Sequence, residues 1–136
     1  MKRKIPQTTD FFEYHNENPK GKHTGDCSVR CLATALGITW DEAVDVACEM
    51  AHRTKIEPFG RQMTGRVLEE HGFISMKIEL ENGRRPTMKT LLKKYKGYII
   101  VGLIAGHEMC ARNGKVKDIW DSSERPLYKY WIKKEE

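Results

Sequence analysis

Along the chain the apolar residues change their spacing once. Up to about residue 72 they recur at three- and four-residue intervals, the period of a helix; from Phe73 onward they mostly alternate or run together, as in strands. Val29, Leu32, Ala33 and Leu36 stand at i, i+3, i+4 and i+7. They predict a short helix from about Cys27 to Leu36, with Asp26 as N-cap and Gly37 at the C-terminal cap. A second helix follows almost at once. Thr39 and Glu42 make a capping box, and Trp40, Ala43, Val44, Ala47, Met50 and Ala51 form an apolar stripe reaching about His52. A loop through Pro58 and Gly60 leads to a third helical pattern, Gln62 to His71, stopped by Gly72. Residues 1–23 are polar and read as irregular, with Asn16, Asn18, Pro19 and Gly21 marking turns.

In the second half, Phe73 to Leu80 reads as a strand and Asn82-Gly83 as a turn. After Pro86, Thr87 caps a short basic helix carrying Met88, Leu91 and Leu92. Tyr98 to Ile104 is a continuous apolar run of strand length, the pattern of a central strand buried on both faces. Asn113-Gly114 is a strong two-residue hairpin signal, from which Lys115 to Trp120 returns. A last strand, Leu127 to Lys133, places Tyr128, Tyr130 and Ile132 on one face and Lys129, Trp131 and Lys133 on the other. The layout predicts an α+β fold, N-terminal helices packed on a C-terminal antiparallel sheet, within a single domain spanning residues 1–136.

Composition narrows the classes of function. With 39% hydrophobic and 32% charged residues the chain is of ordinary globular make-up. The net charge of +5 invites a nucleic-acid partner, but the basic clusters (Arg84-Arg85, Lys93-Lys94 with Lys96, Lys133-Lys134) are short and interspersed with acids. Such clusters describe solvated faces rather than a phosphate track. There is no zinc-finger spacing, glycine-rich phosphate loop or aromatic RNA-binding motif, and no membrane-spanning run. The N-terminus lacks an apolar run of signal-peptide length, so a cytoplasmic location is expected, with the four cysteines as thiols.

The chemistry is concentrated at Cys27. A cysteine in the first turn of a helix meets unpaired backbone N–H groups and the positive end of the helix dipole, which favour thiolate and can donate to a developing oxyanion. A nucleophile also needs a base. If Asn113-Gly114 is a two-residue loop, His107 faces Trp120 and Met109 faces Asp118, so His107 and Asp118 are diagonal neighbours on one face. Asp118 is then the carboxylate that orients the imidazole, Trp120 flanks the pair, and Asp121 points to the other face. Asp26, beside the nucleophile, opposes thiolate formation somewhat.

These residues resemble the papain-like cysteine peptidase superfamily, and especially its small bacterial leader-peptidase-like branch. The resemblance rests on Asp26-Cys27 opening an apolar helix, then Gly106-His107 and Asp118-Ile119-Trp120, the last similar to the Asn-x-Trp of papain. The longer pattern, Asn18 to Cys27 followed by Trp40-Asp41-Glu42 and by Asp118 to Ser123, resembles uncharacterised small proteins of phages and bacteria with this fold. The resemblance covers about Asn16 to Trp131 and implies a papain-like fold and a cysteine hydrolase, peptidase or amidase, that needs no cofactor. Cys27 would be the nucleophile, His107 the general base and Asp118 its orienting partner, acting on a peptide or protein through a thioester. The superfamily's oxyanion-hole glutamine has no counterpart, since the position six residues before Cys27 is Gly21; Asn18 or Asn16 stands nearest. Two alternatives accompany this reading. One is a papain-like domain that binds a protein partner without cleaving it. The other is a zinc site built from Cys27, Cys31, His107 and Cys110, against which the three-residue step from 107 to 110 argues on a regular strand.

Overall fold

Helix and strand follow the change of period closely. In the computed structural model, which describes residues 4–135, the order is β1 (Phe12–Tyr14), α1 (Cys27–Leu36), α2 (Trp40–Thr54), α3 (Arg61–Glu70), β2 (Ile74–Met76), α4 (Met88–Lys94), β3 (Tyr98–Ile104), β4 (His107–Arg112), β5 (Lys115–Asp118) and β6 (Lys129–Lys134). This is an α+β fold of four helices and one six-stranded sheet, ordered β1-β5-β4-β3-β6-β2.

Two expectations are corrected. The segment read as irregular contains β1, which pairs parallel to β5 from Phe12↔Val116 to Tyr14↔Asp118, so the sheet is mixed rather than antiparallel. A three-residue strand at a sheet edge has no periodicity of its own to read; its partner and the fully buried Phe12 define it. The strand expected from Phe73 to Leu80 shrinks to Ile74–Met76, because only those residues pair with β6.

The sheet separates two apolar clusters. On one face α1, α2 and α3 pack with Ile99, Val101, Leu103, Cys110 and Trp131. On the other, Phe12 and the α4 residues Met88, Leu91 and Leu92 pack with Ile100, Met109, Val116, Leu127, Tyr130 and Ile132. The alternation read in the last strand is thus present, with Trp131 on the first face and its neighbours Tyr130 and Ile132 on the second. Between Ile100 and Ile104, Gly102 makes room for the fully buried Leu127. A Cβ there would stand 2.5 Å from Leu127 Cδ2, so a side chain at 102 would expel the residue that anchors the loop after β5.

Turn chemistry fixes the rest. The α2 capping box forms between Thr39 and Glu42, and Gly37 ends α1 in the left-handed conformation with φ of 66°. Asn113 and Gly114, at φ of 55° and 78°, make the two-residue hairpin with Arg112↔Lys115 and Ala111↔Val116 opposed. No helix among the described residues is long and apolar enough to cross a membrane.

Candidate active site

Cys27 is the first residue of α1 and half-buried. Its neighbour Asp26 occupies the N-cap position but makes no side-chain cap bond. The carboxylate turns instead into a polar network. Oδ1 accepts from Arg30 Nε at 2.9 Å, and Oδ2 accepts from Trp40 Nε1 at 2.9 Å and Asn18 Nδ2 at 3.1 Å. Burial works against its ionisation, but these donors outweigh it and hold the Asp26 carboxyl below the usual range.

His107 and Asp118 stand at the end of the β4–β5 hairpin away from its turn. His107 is placed by the tight Ala105-Gly106 turn and by its pairing with Ile104. Its Nε2 lies 2.6 Å from Asp118 Oδ2, the diagonal contact that the two-residue register predicts. With Nε2 engaged by Asp118, Nδ1 is the ring nitrogen left for the thiol. Burial disfavours the imidazolium, but the hydrogen bond and charge of Asp118, with a further contribution from Cys27, push His107 up to about 9. The Trp120 ring, half-buried, is tilted against the imidazole with centroids 5.0 Å apart.

Arg30 ties the two halves together. Besides Asp26 it donates from Nη1 to Asp118 Oδ1 at 2.8 Å, and that oxygen also accepts from Ile119 N at 2.7 Å. Arg30, Asp26 and Asp118 are all buried. Helix α1 therefore carries both Cys27 and the cation that holds Asp118 of β5. Two carboxylates around one guanidinium keep it charged against the cost of burial. Periodicity did not point to Arg30, although its i,i+4 spacing from Asp26 was legible; its second partner lies 88 positions away.

The other expected residues are placed as follows. Asn18 stands next to the α1 N-terminus with Nδ2 donating to Asp26, and its Oδ1 accepts from Lys20 N at 3.0 Å. Asn16 is one step removed, bonded to Asn18 N and Lys22 O. Asp121 is exposed and accepts from Ser123 N rather than from His107. Cys31 and Cys110 are buried in the helix-packed core, where desolvation pushes both thiols up. Among the described residues no group of three or more His, Cys, Asp or Glu side chains could hold a metal, so the four zinc candidates are not gathered into a site.

A further carboxyl follows His107 on β4. Glu108 points to the opposite face of β4, bonded to the Thr64 hydroxyl of α3, and burial raises its pKa. Two grooves, of about 620 and 550 Å³, lie elsewhere, at α4 with β6 and between α1 and the β1 edge. Compared with models of known families, with curated proteins and with solved structures, the chain gives no significant match.

Proposed function

We propose that the protein is a papain-like cysteine hydrolase, a peptidase or amidase, with Cys27 as nucleophile, His107 as acid–base group and Asp118 as its orienting carboxylate. The observation that carries this reading is the 2.6 Å hydrogen bond between His107 Nε2 and Asp118 Oδ2, on an imidazole to whose charge balance Cys27, the first residue of α1, also contributes. As Cys27 attacks, His107 takes up the thiol proton. The Cys27 sulfur attacks an amide carbonyl carbon, and the oxyanion forms beside first-turn backbone N–H groups, which have no partner within the helix. The carbon–nitrogen bond then breaks as His107 gives its proton to the departing amine, leaving a thioester on Cys27. His107, now neutral, takes a proton from water as that water attacks the thioester, which restores the pair and releases the acid.

Arg30 is a positioning residue in this account. It fixes one oxygen of Asp118 so that the other faces the imidazole, and it fixes Asp26 so that the carboxylate beside the nucleophile points into the network. Asn18 is the better of the two oxyanion candidates, because its side-chain amide donates to Asp26, the residue before Cys27.

A second reading, a papain-like domain that binds a protein partner without cutting it, is favoured by one observation. Gly21, where the superfamily carries its oxyanion glutamine, is exposed with φ of 64° and offers no side-chain donor. One experiment separates the two. The protein is mixed with an activated ester and with a mixture of synthetic peptides, quenched in acid and weighed intact. Hydrolysis predicts an acyl adduct on Cys27, absent in Cys27→Ala, together with peptide products. An adduct that never forms with either reagent assigns the protein to the binding reading.

A further inference from the structure

Beside the His107–Trp120 pair lies a pocket of about 220 Å³ lined by Ile104, Ala105, Trp120, Arg125, Pro126 and Tyr128. Two of its lining residues reach His107: Ile104 is its cross-strand neighbour, and the Trp120 ring packs against the imidazole with centroids 5.0 Å apart. Its walls are aromatic and its charge is positive. The Arg125 guanidinium lies 5.8 Å from the centre of the Trp120 ring, and Arg85 brings a second guanidinium to 4.8 Å from the Tyr128 ring.

Arg125 has no carboxylate partner among the described residues. The neighbouring acids are turned to other groups, Asp121 to Ser123 N at 3.0 Å and Glu124 to Lys89 at 3.5 Å. The loop carrying the pocket is held rather than loose. Leu127 is fully buried against Gly102, its N–H donates to Pro86 O at 2.9 Å, and Ser122 Oγ donates to Met109 Sδ at 3.1 Å. A guanidinium without a carboxylate partner, set beside an indole ring, is a receptor for a carboxylate, because it offers parallel N–H donors.

We propose that this pocket receives the leaving-group side of the substrate and that Arg125 selects a carboxylate there. The carboxylate is either an Asp or Glu side chain or the free C-terminus of the peptide. The inference rests on the hydrolase reading above. When the scissile carbon–nitrogen bond breaks and His107 protonates the amine, that amine belongs to the fragment whose carboxylate Arg125 holds.

The test uses full-length Cys27→Ala protein labelled with nitrogen-15, with the Trp120 indole N–H assigned as the resonance lost in Trp120→Phe. Three dipeptides that mimic the departing amine are titrated: H-Glu-Ala-NH2, which carries only a side-chain carboxylate; H-Ala-Ala-OH, which carries only the terminal one; and H-Lys-Ala-NH2. The expected result is a saturable shift of the Trp120 indole with one or both carboxylate dipeptides and none with the lysyl dipeptide; whichever carboxylate binds identifies its source. Arg125→Gln should weaken that binding about tenfold or more. Arg125 is exposed, so this variant should retain the wild-type amide spectrum. Equal binding of the lysyl dipeptide, no shift with either carboxylate, or full binding by Arg125→Gln overturns the proposal. Because the assay needs no turnover, its failure is distinct from failure to form the Cys27 thioester.

Discussion

Removing Arg30 would leave Asp26 and Asp118 buried without the cation they share. Breaking one partner out of a buried ionic group typically costs about 3–5 kcal/mol, far more than losing a surface pair. Arg30→Met should therefore lower the free energy of unfolding in urea by that order, and a loss under about 1 kcal/mol would mean the network is solvated and does not brace the site. His107 gives a second prediction, with a definite sign. Its folded value of about 9 lies above the ordinary 6.5, so its ion pair stabilises the fold fully below pH 6.5 and loses that contribution as the pH rises through about 9. The contribution is at most about 3 kcal/mol, and wild type should lose more stability than His107→Gln between pH 6 and 10. Equal losses would contradict the pairing. At this scale the placement of Cys27, His107 and Asp118 was legible because each sits at a helix start or at a fixed offset from a turn. Arg30 was not, because a polar residue inside an apolar helical stripe carries no sign of a partner on a distant strand.

Elements explain why the carboxylate is Asp118. A two-residue loop at Asn113-Gly114 fixes which residues of β4 and β5 share a face, and the left-handed φ of both loop residues shows that turn is made. Asp118→Asn keeps a hydrogen-bonding group in place but removes the charge that His107 and Arg30 share. It should slow Cys27 alkylation and lower the pH at which His107 titrates, as followed by proton NMR. Asp121→Asn, exposed and bonded to its own loop, should change neither. The reverse pattern would put the register off by one residue. Helix caps, the hairpin and the central strand were readable because each follows from local sequence chemistry. The first strand was not, since three residues paired in parallel across the whole length of the chain owe their conformation to β5 and not to themselves.

For the molecule as a whole, the sequence carried the helix-then-strand layout, and the sheet supplies what it could not. β1 closes the edge next to β5, α1 lies on β4 and reaches Asp118 through Arg30, and Leu127 fills the space over Gly102 to hold the Trp120 loop. The central claim is that this assembly makes one cysteine of four a nucleophile. Exposure alone favours a different residue, since Cys48 is exposed while Cys27 is only half-buried and Cys31 and Cys110 are inaccessible. The direct measurement is the rate at which each cysteine is labelled by iodoacetamide at neutral pH, mapped by mass spectrometry in wild type, His107→Ala and His107→Gln. Cys27 should react first in wild type, and both histidine variants should slow it about tenfold or more while leaving Cys48 unchanged. Faster labelling of Cys48, or a Cys27 rate indifferent to His107, would contradict the account.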